Sequence, residues 1–128
     1  MVVLPGDVAL LSAEYDDRRV NFTFAQPHIV PRPEELDRLA AELNRTKFTT
    51  ILAGAGCAGA HDGLMELAGK LQAPIVHAMR GKEFIEYDNP YDAGMTGLLG
   101  FSSGYHAMMN CDTLLMLGTD FPYQQFYP

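Results

Sequence analysis

Apolar residues recur at helical spacing in two stretches of the chain. After residues 31–35, whose prolines and glutamates suit a first helical turn, leucine and alanine fall at i, i+3, i+4 and i+7 until about Asn44. The same spacing follows Gly59. We therefore predict two amphipathic helices, with apolar faces made of Leu36, Leu39, Ala40 and Leu43 in the first and Leu64, Leu67, Ala68 and Leu71 in the second.

Three short apolar runs, residues 48–53, 74–78 and 112–118, separate or follow these helices. The first run lacks a polar alternation towards its end, which is typical of a strand buried on both faces of a parallel sheet. A polar, glycine-containing loop from 80 to 100 and a short helix near 102–109 complete the order. Alternating strands and helices predict an α/β fold with a Rossmann-like parallel sheet and flanking helices.

The first thirty residues have a different pattern. The apolar run at residues 2–4, closed by Pro5 and Gly6, predicts a short strand. Charged residues and then aromatic residues fill positions 12–30, and we interpret this stretch as an ordered linker that wraps a surface.

Composition narrows the possible partners. Hydrophobic residues make up 48% and charged residues 20%, as in globular domains. A net charge of -7 without any basic run excludes nucleic acid as an expected partner. No apolar stretch approaches the roughly 20 residues of a spanning helix, and the N-terminus does not resemble a signal peptide. Two cysteines and four histidines show no metal-ligand spacing, so we expect a cytoplasmic protein with reduced thiols and no metal.

Glycine follows the first predicted strand in the pattern G-x-G-x-x-G, at Gly54, Gly56 and Gly59. Such glycines allow a tight turn and bring backbone close to a phosphate. Alternatively, small residues here merely permit close packing, and spacing alone does not separate the two interpretations. The acidic residue that an NAD site needs at the end of the next strand is absent, since Ala78, Met79 and Arg80 occupy that place.

Two further segments suit a ligand or an ordinary loop equally well. Residues 96–104 combine three glycines with hydroxyl side chains, and Ser102 or Ser103 is a candidate helix cap. Residues 118–123 end the last strand, where Phe121 and Tyr123 would bracket a ring or pack under a loop. Ligands of parallel sheets bind beyond the carboxyl ends of the strands, which also places residues 54–59 and 79–82 there.

The cysteines, one histidine and several acidic residues are expected to have structural and not chemical roles. Cys57 and His77 lie in apolar surroundings and are expected to be a packed thiol and a core histidine. Cys111 precedes a strand and is expected to be structural. The acidic residues between 83 and 92 are expected to be solvated loop residues.

Longer runs of sequence resemble a known family. They are VVLPGDVA at 2–9, GAGCAGAH at 54–61, APIVHAMRGKE at 73–83, EYDNPYD at 86–92, GMTGLLGFSSG at 94–104 and LGTDFPY at 117–123. Together they resemble the thiamine-diphosphate-dependent pyruvate oxidases, in particular the bacterial flavoprotein that passes electrons to quinone.

The resemblance implies a division of the chain and a cofactor. Residues 1–30 would be the exit strand of a preceding domain and a linker, and residues 31–128 part of the central FAD-binding domain. The implied FAD contacts are Thr96, Gly97, Leu98, Leu99, Thr119, Asp120, Phe121, Pro122 and Tyr123, with Gly54, Ala55 and Gly56 as less certain additions. Asp120 departs from the neutral amide expected at its position.

The resemblance also implies that the parent enzyme is an oxidoreductase. Thiamine diphosphate and magnesium would be held by domains outside this sequence, so no catalytic or metal-binding residue is assigned here. A half-sheet would leave an exposed strand edge that invites pairing with a second copy, so we expect this chain to form a homo-oligomer. The resemblance implies a parent that is peripheral at the inner membrane face through other segments. Two alternatives stay open: the central domain of an acetolactate synthase-like decarboxylase, and a non-catalytic module that binds a nucleotide or a protein.

Overall fold

The computed structural model describes residues 3–12, 28–120 and 123–128, which belong to two compact units, Met1–Val30 and Pro31–Pro128. In the described part of the first unit, one short helix, α1 (Gly6–Ala9), follows Pro5. Val3 and Leu4 lie in no strand, which corrects the strand predicted at 2–4 as far as these two residues are concerned. A strand requires a neighbour for its backbone hydrogen bonds, and sequence alone does not supply one. Most of the predicted linker, and Val2, lie outside the described residues.

The second unit alternates strands and helices. Three single turns of 3₁₀ helix, Ala55–Cys57, Met79–Gly81 and Gln124–Phe126, lie among the loops. The main elements are α2 (Pro33–Leu43), β1 (Thr49–Ala53), α3 (His61–Leu71), β2 (Ile75–His77), α4 (Lys82–Ile85), β3 (Asp92–Met95), α5 (Ser102–Met109) and β4 (Thr113–Leu117).

The four strands form one parallel sheet in the order β3-β2-β1-β4. β1 is central, and Ile51 lies opposite Ile75 of β2 and Leu115 of β4. Every residue of β1 is buried, as the absence of polar alternation predicted. The predicted α/β fold with a parallel sheet and flanking helices is therefore confirmed.

Apolar side chains pack on both faces of the sheet. On one face Ile51 and Ile75 pack with Leu64 and Ala68 of α3. On the other, Leu52, Val76 and Met108 form a second cluster, Met108 being contributed by α5. Alternate residues of β1 thus serve opposite faces, and the predicted apolar stripe of α3 is confirmed.

The segment from 80 to 100 was predicted as a loop, and this prediction is wrong in part. It contains α4 and the edge strand β3. β3 reads Asp-Ala-Gly-Met, with Gly94 at φ +93° and an irregular register against β2. It lacks the β-branched and aromatic residues that signal a strand, so pairing with β2 and not propensity forms it.

Helix α2 was predicted correctly, but its apolar face is not fully covered. Leu43 packs on the core, whereas Leu36 and Leu39 are 49% and 43% exposed.

Among the described residues, no helix is long and apolar enough to cross a membrane.

Candidate functional site

A groove of about 1000 Å³ opens at the carboxyl edge of the sheet. The loops that follow all four strands contribute to it, which is where ligands bind in parallel α/β sheets. Its lining comprises Gly54, Ala55 and Gly56 after β1; Ala78, Met79 and Arg80 after β2; Met95, Thr96, Gly97, Leu98 and Leu99 at the end of β3; and Gly118, Thr119, Asp120 and Tyr123 after β4.

The groove brings the sequence-predicted site residues together. Twelve positions were implied as cofactor contacts, and ten of them lie among the described residues. All ten line the groove, although they come from three separate stretches of the chain. Phe121 and Pro122 lie outside the described residues. That these residues bind a cofactor stays a prediction.

The glycines after β1 serve close packing between two loops. A Cβ on Gly54 would lie 2.4 Å from the carbonyl oxygen of Gly118, and one on Gly56 would lie 2.7 Å from the Gly118 Cα. The Gly56 N–H donates to the Gly118 carbonyl at 2.8 Å, and the Gly54 N–H to Leu117 at 3.0 Å. Since both N–H groups already have partners, the packing interpretation is the one supported, and these two positions form no phosphate cradle.

Gly59 differs from the other two glycines. It adopts φ +78°, and a Cβ there would meet no atom within 4 Å. Its role is a left-handed turn before α3, not the packing of a helix on a strand that the third glycine of the fingerprint provides.

The loop after β3 is a tight turn with an apolar tip. Phe101 N–H donates to the Met95 carbonyl at 2.8 Å and closes the loop, while a Cβ on Gly100 would lie 2.6 Å from that same oxygen. Leu98 and Leu99 are 70% and 65% exposed at the tip. The loop therefore presents apolar surface to the groove.

Thr96, at the start of this loop, is a buried polar residue in the groove wall. Its N–H donates to the His77 carbonyl at 3.0 Å, which continues the pairing of β3 with β2. Its hydroxyl oxygen is buried without a hydrogen-bond partner. The predicted cap at Ser102 or Ser103 is not formed, because α5 begins at Ser102 itself and Phe101 occupies the cap position.

The loop after β4 turns at Gly118, which adopts φ +56°. Thr119 and Asp120 follow it into the groove wall. Tyr123 is 39% exposed and makes an edge contact with the Phe126 ring, with centroids 6.4 Å apart. Tyr123 thus lies at the groove, while Phe121, its predicted companion, lies outside the described residues.

Sequence analysis did not assign the three lining residues after β2. Ala78, Met79 and Arg80 were recognised as lying beyond a strand end but received no role. Met79 is 62% exposed. Their position directly after a buried parallel strand was the available signal, and it carried no residue type tied to a particular chemistry.

Cys57 is a packed thiol, as predicted. It is 7% exposed, and its Sγ donates to the Leu117 carbonyl at 3.4 Å. Burial raises the pKa of the Cys57 thiol, an effect partly offset by a hydrogen bond from the Gly54 backbone. A raised thiol pKa disfavours the nucleophilic thiolate, so Cys57 is not a nucleophile candidate.

His77 is fully buried, which confirms a core histidine, but it has acidic neighbours. Its Nε2 lies 3.1 Å from Glu86 Oε2 and 3.7 Å from Asp92 Oδ1, without hydrogen-bond alignment. The Lys82 ammonium beside Glu86 holds the pKa of that carboxyl below its usual value, and His77 adds to this effect. Glu86 and Asp92 are exposed, as expected for solvated residues, and they also lie beside His77.

Within the described ranges, no cluster of histidine, cysteine or carboxylate side chains is arranged to hold a metal ion. The described lining of the groove offers backbone groups, apolar surface, the hydroxyl side chains of Thr96, Thr119 and Tyr123, one arginine and one carboxylate. These groups can bind and orient a ligand.

Comparison with known proteins identifies a matching family and several relatives of the chain. Residues 36–128 match the family described as thiamine pyrophosphate enzyme, central domain. The chain is 59% identical over 129 residues to an "Uncharacterized 42.6 kDa protein in isoamylase 3'region" of Pseudomonas amyloderamosa, covering 100% of this chain and 33% of that protein. It is 37% identical over 105 residues to the putative thiamine pyrophosphate-containing protein YdaP of Bacillus subtilis, covering 82% of this chain and 18% of YdaP.

More distant relatives include a probable acetolactate synthase large subunit of Methanocaldococcus jannaschii. It is 29% identical over 105 residues, which cover 80% of this chain and 18% of the relative. The chain thus spans a third or less of the length of the curated relatives it matches here.

Proposed function

The chain belongs to the thiamine pyrophosphate enzyme family, as its central domain, and from this premise we propose that its groove binds FAD in an enzyme of the pyruvate oxidase type. One observation carries the proposal. Residues 54–56, 96–99 and 119–123 were implied as cofactor contacts by resemblance, and all their described members line a single groove. Its volume of about 1000 Å³ is at the upper end of the range for small-molecule sites, about 300–1000 Å³.

The chemistry of the lining fits a flavin nucleotide. Leu98, Leu99 and Met79 offer exposed apolar surface of the kind that covers a ring system. Thr96 contributes a buried hydroxyl that has no partner, and such an oxygen costs about 1–3 kcal/mol unless a hydrogen bond satisfies it. Since the oxygen is buried, a polar ligand atom would supply that bond after a small shift of the groove wall.

In the proposed enzyme, bound FAD supplies a two-electron acceptor for the oxidative decarboxylation of pyruvate. The residues of this chain bind and orient the cofactor and exclude water from one side of it. Thiamine diphosphate, magnesium and the groups that activate them belong to other domains of the proposed parent. We place that parent in the cytoplasm, with any membrane contact made by other segments.

An acetolactate synthase-like central domain is the second candidate. Two relatives described as probable acetolactate synthase large subunits match at 29% and 27% identity. The segments around Arg80 and at residues 118–123 favour the oxidase, since both lie in runs that resemble it. A non-catalytic module that binds a nucleotide or a protein is the third candidate.

The proposal is tested by titrating FAD with the purified chain and following flavin fluorescence. We expect saturable binding to the wild type and at least tenfold weaker binding to Leu99→Ser, because covering an exposed leucine side chain with the ligand contributes about 1.5–3 kcal/mol. Leu36→Ser is the matched control, since Leu36 is a half-exposed leucine on α2 outside the groove lining. Equal affinity of both variants and the wild type, or no binding at all, would refute the proposal.

A further inference from the structure

Arg80 is the one cationic side chain in the described lining of the groove. It follows the carboxyl end of β2 within the 3₁₀ turn Met79–Gly81. Among the described residues, no carboxylate forms an ion pair with it, whereas nearby Lys82 is paired with Glu86. The described groove lining therefore holds a guanidinium without an ion-pair partner among the described residues.

The hydrogen bonds of the neighbouring backbone determine which donors in the groove can bind an anion. In dinucleotide sites, N–H groups of a glycine turn usually receive the phosphates. Here the N–H groups of Gly54 and Gly56 donate to Leu117 and Gly118. These two donors are therefore not available to an anionic ligand, whereas the guanidinium of Arg80 has five N–H groups suited to phosphate oxygens.

The order of the strands also places Arg80 along the groove. From one side to the other, the loops follow β3, β2, β1 and β4. Neighbouring strands lie about 4.8 Å apart, so the four loops span about 14 Å. The apolar tip at Leu98 and Leu99 is one strand away from Arg80, and Asp120 and Tyr123 are two strands away on the other side. The cation thus lies between an apolar surface and a surface with a carboxylate and an aromatic ring.

The turn that carries Arg80 is fixed by its own packing. The Gly81 N–H donates to the Ala78 carbonyl at 2.8 Å. A Cβ on Gly81 would lie 2.7 Å from Ile85 Cδ1 and 3.0 Å from the backbone of Gly54. This close approach ties the β2 loop to the β1 loop, so that Arg80 starts from a defined backbone position.

We propose that Arg80 binds the central diphosphate of an extended dinucleotide, with a ring system against Leu98 and Leu99 and the nucleoside toward Asp120 and Tyr123. The inference rests on the proposed function and adds a specific phosphate anchor to it. Asp120, about two strand spacings from Arg80, is then far enough from the diphosphate to accept hydrogen bonds from sugar hydroxyls instead of repelling the anion.

The test compares FAD affinities of Arg80→Gln, Arg80→Lys and the control Arg38→Gln. Arg38→Gln makes the same change of net charge on α2, outside the groove lining. We expect Arg80→Gln to weaken FAD binding about ten- to hundredfold, because the loss of a hydrogen bond to a charged group lowers a binding constant by about this factor. Arg80→Lys should restore binding in part, since it keeps the charge but loses the planar fork. Arg38→Gln should change binding less than twofold.

Inorganic pyrophosphate provides a readout that does not depend on the flavin. It should compete with FAD for the wild type and lose this ability in Arg80→Gln. Equal FAD affinity of Arg80→Gln and wild type, or equal losses in Arg80→Gln and Arg38→Gln, would overturn the assignment and leave the FAD site standing. If the wild type binds no FAD, the proposed function fails, and calorimetry with pyrophosphate decides the role of Arg80. Binding that depends on Arg80 would support the anchor, and its absence would overturn it.

Discussion

Replacing Gly54 by alanine distinguishes a packing glycine from a phosphate-binding glycine. The new Cβ would lie 2.4 Å from the Gly118 carbonyl oxygen and 2.8 Å from the Thr119 Cα. Both atoms belong to backbone, so a side-chain rotation cannot relieve the overlap. Forcing extra volume into a closely packed place costs about 1–3 kcal/mol. We expect Gly54→Ala to lower the free energy of unfolding by about 2–3 kcal/mol, even without any ligand.

The matched control is Gly63→Ala in helix α3. A Cβ at Gly63 would meet no atom within 4 Å, and alanine is favoured over glycine in a helix by up to about 1 kcal/mol. Gly63→Ala should therefore be neutral or stabilising, although both variants add one methyl group to a glycine of the same region.

Urea unfolding followed by far-ultraviolet circular dichroism measures both variants, since the chain has no tryptophan for fluorescence. At 4–8 °C per kcal/mol, the melting temperature of Gly54→Ala should fall by about 10 °C or more. If Gly54→Ala keeps wild-type stability without ligand and loses only FAD affinity, Gly54 serves the cofactor directly and the packing argument is refuted.

Two further predictions concern acid stability and self-association. The hydroxyl of Thr46 and the backbone N–H groups of Lys47 and Phe48 hold the pKa of Asp112 below its usual value. The stability that Asp112 provides is therefore present above about pH 4 and lost as the pH falls further, and Asp112→Asn should flatten the measured pH dependence of unfolding in that window. β3 and β4 are the edge strands of the described sheet, and we propose that the chain forms homo-oligomers through β4. Light scattering should show concentration-dependent dimers that Met116→Lys on β4 weakens, and a wild-type monomer at all concentrations would contradict this.

Most of the fold could be predicted because its strongest elements have clear periodicity. β1 and β4 consist of β-branched and apolar residues, and the stripe of α3 is regular. β3 could not be predicted, since Asp92–Met95 contains no strand-forming side chain and depends on its neighbour for pairing. The exposure of Leu36 on α2 could not be predicted either, because periodicity identifies an apolar face but not what covers it.

The site followed from topology more than from motifs. Parallel strands bring their carboxyl ends to one edge, so loops distant in sequence meet there. The pattern at Gly54, Gly56 and Gly59 was ambiguous until the position of Gly118 showed what the first two glycines pack against. Arg80 was overlooked because a single arginine has no periodicity or spacing that distinguishes it from a surface residue.

Thermal unfolding with and without FAD is the most direct test of the central claim that the groove binds this cofactor. A ligand at 100 times its dissociation constant stabilises the folded state by about 2.7 kcal/mol, which corresponds to a rise of about 10 °C or more in melting temperature. We predict such a concentration-dependent rise for the wild type, and a markedly smaller one for Leu99→Ser at the same FAD concentration. A folded chain whose melting temperature stays unchanged at saturating FAD would contradict the account.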